Sequence, residues 1–278
     1  LDGEAGDDVI EGRGGIDLAY YSGERDAYTL AIGTGGVSIE DRRADGDGTD
    51  AISGVEILQF ADRTWQLEKF SDVAGLSEAD FRAFVELYIA YFNRAPDAEG
   101  LFFWGSAFAG GFSLEASARE FLKQPEYDAA YPPGLSNLDF AREVYANVLG
   151  RDPDPVGLEF WVDVLDSGAR TRDVFILEVL NGAKAPVQAG DPPDFVAQKQ
   201  ADEKYLSDKT DIGIYFAVTK GMSDVGDADA AMGLFDGSPE SVDAAVAAID
   251  GFHDAALEPE AGEFLLTLVG VVDDPFAG

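Results

Sequence analysis

Cysteine is absent from the 278 residues, so neither a disulfide framework nor a thiolate metal site can form. Histidine occurs once, as His253 in Gly251-Phe252-His253-Asp254. One imidazole near a helix end is a surface residue by default and leaves no histidine pair for a catalytic metal. Basic residues are scarce: 19 Lys and Arg against 54 Asp and Glu give a formal net charge of −35. A phosphate backbone or an anionic lipid surface is repelled by such a chain, and nucleic acid is excluded as a partner. Long apolar runs are missing too. The longest, Phe264 to Val272, falls well short of the roughly 20 residues a membrane-spanning helix needs, so no membrane insertion is expected. No basic and apolar leader opens the chain, which starts at Leu1 in mid-pattern and reads as a fragment. Nor is there a His-Glu-x-x-His pair, a Gly-x-Ser-x-Gly elbow or a phosphate loop ending in Gly-Lys-Ser/Thr. With 54 carboxylates some pairs fall close together by chance, so proximity alone does not argue for a glycosidase. A non-catalytic protein is the expectation.

Hydrophobic residues make up 46% of the chain, enough to bury a sizeable core and to exclude disorder. The first twenty residues repeat at nine. Gly3-Glu4-Ala5-Gly6-Asp7-Asp8-Val9-Ile10-Glu11 aligns with Gly12-Arg13-Gly14-Gly15-Ile16-Asp17-Leu18-Ala19-Tyr20. Paired glycines, a shared aspartate and a shared apolar position mark a parallel β-roll, in which each unit is a turn followed by a short strand. Glycine lets the turn close tightly and bare its carbonyl oxygens, and the aspartate adds a hard anionic oxygen, which is the donor chemistry of calcium. Gly3, Ala5, Asp8, Gly12, Gly14 and Asp17 are therefore candidate calcium ligands. Successive turns fall on alternate sides of a roll, so Asp8 and Asp17 should serve different ions, with partners upstream of Leu1. Asp45-Gly46-Asp47-Gly48-Thr49-Asp50 is a second candidate loop, with Asp45, Asp47 and Asp50 as ligands. It lacks the glutamate that would complete an EF-hand.

Tyr28–Ile32, Val37–Ile39 and Val55–Phe60 follow as short strands separated by Gly- and Asp-rich turns. Together with the nonapeptides, Tyr21-Ser22-Gly23 through Gly54-Val55-Glu56-Ile57-Leu58-Gln59-Phe60-Ala61-Asp62 resembles the end of an RTX (repeats-in-toxin, hemolysin-type) module across roughly residues 1–67. The resemblance implies bound Ca2+, export by type I secretion and a place in the medium or on the cell surface.

Helical spacing takes over after a hinge at Asp72-Val73-Ala74-Gly75. Ser77 can cap a helix whose Phe81, Phe84, Val85, Tyr88 and Ile89 recur at three and four. Tyr88 to Trp104 then matches Tyr145 to Trp161. Tyr, Arg94/Arg151, Pro96/Pro153, Asp97/Asp154, Gly100/Gly157 and Trp recur at a constant offset of 57 residues, the difference between 151 and 94. Each unit reads as helix, Arg-x-Pro-Asp loop, a second helix carrying Phe and Trp, a Gly turn and a third helix. Proline ends the first helix, aspartate caps the second, and each arginine is expected to tie down its own aspartate. The second copy diverges where Asn181-Gly182-Ala183-Lys184 replaces Gln124-Pro125-Glu126-Tyr127. This repeat resembles a helical domain of unknown function that accompanies RTX modules in secreted, surface-layer-like bacterial proteins. It is distantly similar to phycobilisome linker domains, without a cysteine for a pigment.

The expected fold is α+β: the end of a calcium β-roll with its β cap at 1–72, a mainly α-helical bundle with the 57-residue repeat at 73–190, and a helical extension at 191–278. In the extension, Tyr205 to Val218 fits one long helix or a bent pair, and Ser238-Pro239 opens another. Phe264 to Gly278 is compatible with an export signal, a final core helix or a strand. The functional expectation is a secreted calcium-binding surface-association or scaffold module with surface or matrix proteins or polysaccharide as partners. Two alternatives differ in class. One is a carbohydrate-binding module using Phe102, Phe103 or Phe160, and the other is the tail of a larger polysaccharide-acting enzyme.

Overall fold

The computed structural model describes residues 1–277, which form a mixed α and β structure. Eight short strands build two small sheets. Strands β1 (Val9–Glu11), β3 (Tyr28–Gly33), β4 (Gly36–Asp41), β5 (Thr49–Ser53) and β8 (Leu265–Val269) form one in the order β1-β5-β4-β3-β8. The other is β2 (Leu18–Tyr20), β6 (Ile57–Gln59) and β7 (Thr64–Gln66). β1 runs parallel to β5, with Val9 opposite Ala51, and β2 runs parallel to β6, with Leu18 opposite Ile57. Strands nine residues apart in sequence thus enter different sheets. The inward residue of each, Ile10 and Ala19, is buried while its neighbours face out, as period-two alternation requires.

The helices are α1 (Glu78–Phe92), α2 (Ala98–Ala109), α3 (Leu114–Phe121), α4 (Pro125–Ala130), α5 (Asn137–Leu149), α6 (Pro155–Asp166), α7 (Arg172–Lys184), α8 (Pro193–Ile214), α9 (Val225–Gly233) and α10 (Pro239–Ala256). Their starts obey local chemistry. The side chains of Ser77, Asp97, Ser113, Ser136, Asp154, Asp224 and Ser238 each accept a hydrogen bond from the backbone N–H three residues on, satisfying a donor the helix leaves free. Phe81, Phe84, Val85, Tyr88 and Ile89 are all buried. Asn93 and Gly150, 57 residues apart, both end their helices in the left-handed region, and α2 and α6 occupy equivalent spans at the same offset.

One boundary differs from expectation. The hinge at 72–75 is a packed 3-10 turn: Val73 is buried, its N–H donates to Ser106 Oγ (3.0 Å), and a Cβ on Gly105 would meet its Cγ2 at 2.7 Å. Of the readings open for the C-terminal stretch, the strand is formed, over Leu265–Val269. β8 joins the first sheet parallel to β3, with Leu266 opposite Leu30. Phe264, just ahead of it, wedges against Phe60 (6.0 Å) and Trp65 (5.4 Å) of the second sheet. Arg42 secures the connection by donating to the carbonyls of Asp26 (2.5 Å), Ala256 (3.3 Å), Leu257 (3.2 Å) and Glu263 (2.7 Å) and to Thr29 Oγ1 (2.9 Å). α8 packs on α1, α5 and α7 and passes through a π-helical turn at Tyr215–Thr219. One buried cluster therefore runs from Ile10 through the helices to Val271.

Candidate metal centre

The two nonapeptide turns place left-handed residues at matching positions. Glu4 (φ 63°) and Arg13 (φ 68°), nine residues apart, are both left-handed, and so are Gly6 (φ 125°) and Gly15 (φ 120°). Left-handed φ at a residue with a Cβ costs energy, so the shape of the turn overrides residue identity here. Each turn is backed by a segment from the far side of the β3–β4 hairpin. Gly6 N–H donates to the Asp47 carbonyl (3.0 Å), Thr49 N–H to Asp7 Oδ1 (2.9 Å) and Asp8 N–H to Asp50 Oδ1 (3.1 Å). In the next layer Gly12 N–H donates to the Ser53 carbonyl (2.9 Å), and Asp17 N–H to Glu56 Oε2 (2.8 Å). The contact is tight enough to demand glycine: a Cβ on Gly12 would lie 1.7 Å from the Gly54 carbonyl oxygen and 2.9 Å from Asp17 Cβ.

Within this frame the nine candidate ligands separate. Asp8 folds over Gly3, whose Cβ position is 3.1 Å from Asp8 Oδ2, while Ala5 and Gly14 are exposed. Asp17, against Gly12, keeps a buried oxygen, Oδ2, with no hydrogen-bond partner. The second candidate loop is not gathered around a common centre. Asp45 points to solvent. Asp47 accepts from Ser22 N–H (2.7 Å), Ser22 Oγ (2.6 Å) and the Tyr28 hydroxyl (2.5 Å). Asp50 is buried at the start of β5, where it receives the Asp8 amide. Its burial, with the charges of Asp8 and Asp47, pushes its carboxyl above the ordinary range. The nearby Tyr21 hydroxyl is pushed up by burial and by the charge of the adjacent Asp50 carboxylate. Asp41 lies under the loop. Burial works upward on it, but the Arg43 guanidinium (2.6 Å) and the amides of Asp47 and Arg43 prevail and hold it below its usual value. Among the described residues no three Asp, Glu or His side chains converge as a metal cage.

A hard cation needs several oxygens, and among the carboxylate oxygens of the described residues Asp17 Oδ2 is the one left both buried and unspent. Glu56, which completes that layer, is a residue sequence reasoning did not single out. Its signal was hidden because the 28–41 hairpin interrupts the nine-residue count, so Asp17 meets it 39 positions on.

The two Arg-x-Pro-Asp loops also resolve differently. Arg94 donates to Asp97 Oδ2 (3.0 Å), the Tyr88 hydroxyl (3.2 Å) and the Ala95 carbonyl (2.9 Å), as expected. Arg151 does not hold Asp154, which only caps Gly157 (2.8 Å). It turns to Asp202 of α8 in a bidentate pair with both contacts at 2.7 Å, because α8 brings a buried carboxylate to the planar fork of the guanidinium. The aromatics divide as well: Phe102 is buried, whereas Phe103 and Phe160 are partly exposed.

Residues 118–183, from within α3 to near the end of α7, match the model of a family described as a domain of unknown function (DUF4214). The matched stretch contains the second Arg-x-Pro-Asp loop with its flanking helices α5 and α6 and leaves out the first loop. No curated protein and no solved structure matches the chain.

Proposed function

We propose that this chain is a calcium-dependent, non-catalytic module of an RTX-type protein that is exported and acts at the cell surface or outside the cell. In this reading the β part orders outside the cell, where calcium is abundant, and the helical part supplies a surface for matrix proteins or polysaccharide. One observation carries it: Asp17 Oδ2 is buried without a partner in a glycine turn backed by Glu56. An unpaired carboxylate oxygen in such a place costs stability unless a cation meets it. The ion would be held by Asp17 and carbonyl oxygens of the Gly12–Asp17 turn, and it would replace carboxylate repulsion with ligation. Further support comes from the nine-residue recurrence of φ and from Leu1. Its amino group donates to the Leu18 carbonyl (2.6 Å) and its carbonyl accepts from Tyr20 N–H (2.9 Å), an alignment of residues 1 and 19 that is two nine-residue units long.

The test is thermal melting followed by circular dichroism during calcium titration, against magnesium at equal ionic strength. Calcium is expected to raise the Tm of the native chain more than magnesium does, and Asp17→Asn is expected to abolish that excess. An unchanged Tm between calcium and chelator would remove the calcium reading.

A further inference from the structure

The two copies of the Arg-x-Pro-Asp unit differ most in what covers them. In the first, Arg94 is only 4% exposed, and α4 lies beside it with Glu126 at 3.8 Å. In the second, no short helix takes the place of α4. Pro125 opens α4 after the first copy, whereas α7 runs on to Lys184 before the chain leaves along 185–192 and returns as α8. A cleft of about 450 Å³ stays open between α5, α6, α7 and α8, within the roughly 300–1,000 Å³ of small-molecule sites.

Its lining combines aromatic faces with a rigid polar pair. Trp161 and Tyr145 are half-buried, and Phe195, 51% exposed, stands at the rim. Trp161 is locked edge-on against Phe175 at 5.0 Å and 69°. The Arg151–Asp202 pair is steadied from behind by Gln198, whose amide donates to Asp202 Oδ1 at 2.9 Å, and the exposed Gln188 lies at the mouth. None of these residues is needed by the turns at 3–17.

We infer that this cleft binds a neutral saccharide of one or two rings. An anion is disfavoured by Asp154, Glu178 and Asp191 around the opening and by the net charge of −35. A cation meets Lys199 in the wall, and it finds the Tyr145 ring already taken by the Arg151 guanidinium 5.4 Å from its centroid. A purely apolar ligand would bury the Arg151–Asp202 pair without replacing its water. A sugar ring avoids all three penalties. Its C–H face can lie on an indole or phenyl surface, and its edge hydroxyls, each both donor and acceptor, match the part-exposed Arg151 guanidinium, fixed in place by Asp202, and the Gln188 amide at the mouth.

Calorimetric titration of the full chain, in calcium-containing buffer, with cellobiose, maltose and N,N′-diacetylchitobiose tests this. Galacturonate and choline serve as the charged probes. At least one neutral disaccharide is expected to bind with a Kd of about 1 mM or tighter. Phe195→Ala and Gln188→Ala alter exposed positions at the mouth and should leave the fold intact, and each is expected to weaken binding several-fold. Failure of all three disaccharides, preference for galacturonate or choline, or an affinity unchanged in both variants overturns the assignment.

Discussion

Asp8 and Asp17 hold equivalent places in two successive turns, yet their neighbours give them different chemistry. Asp8 lies over Gly3 with its amide on Asp50, whereas Asp17 keeps a buried oxygen unpaired. A second carboxylate under tension is Glu263, immediately before Phe264. Its burial first, then the charges of Asp224 and Asp227, push it up to about 7, against the pull of the Ser223 amide. Its folded pKa thus stands above its unfolded value near 4.5. Between those two values the native state binds more protons than the unfolded one, so this residue's contribution falls as pH rises across that window and levels off above it. Melting of the native chain and of Glu263→Gln from pH 4.5 to 8 checks the sign. The variant is expected to gain Tm relative to the native chain toward pH 8 and to lose that advantage at the acid end. A constant difference across the range would contradict it.

At the scale of elements, capping and apolar spacing account for the helices, while the placement of β8 depends on Arg42. That guanidinium gathers carbonyls from the segment before β3, the end of α10 and the lead into β8, so it fastens both ends of the chain together. Arg42→Ala leaves several of these carbonyls short of a donor. A loss of about 2–4 kcal/mol is expected, since each buried polar group left unpaired costs about 1–3 kcal/mol. Hydrogen exchange should locate the damage: amides of Leu265–Val269 should exchange faster, and those of α5 to α7 should not change. Arg42→Lys should recover little, because a point charge cannot serve diverging carbonyls as a planar fork does. Equal protection in β8 before and after the change would show that the strand holds itself.

Over the whole molecule, the buried cluster is continuous from the β strands through the helices to β8, while the surface carries most of a −35 charge. Continuity predicts one calorimetric transition rather than three for the segments 1–72, 73–190 and 191–278. The charge predicts that its Tm rises with NaCl, because shortening the Debye length from about 30 Å at 0.01 M to about 3 Å at 1 M screens the self-repulsion. Separate transitions, or a Tm insensitive to salt, would mean that the parts are independent or that the carboxylates are already neutralised in place. No helix among the described residues is long and apolar enough to cross a membrane.

Much of the architecture was legible because it is set locally. Ser77, Asp97, Asp154 and Ser238 cap where their side chains reach an amide three residues on, glycine and aspartate spacing shapes the two turns, and the 57-residue offset places Arg94 and Arg151 at equivalent loop positions. Local chemistry does not say which distant groups meet. The pairing of Arg151 with Asp202, the backing of Asp17 by Glu56, the scattering of Asp45, Asp47 and Asp50, and the return of β8 to β3 all join residues far apart in the chain. Those choices follow from which buried charge or edge strand has a partner within reach once the core is packed. The sequence determined the elements and the chemistry they carry; the tertiary structure decided which side chains are spent on one another and which, like Asp17 and the Trp161 cleft, are left free to bind.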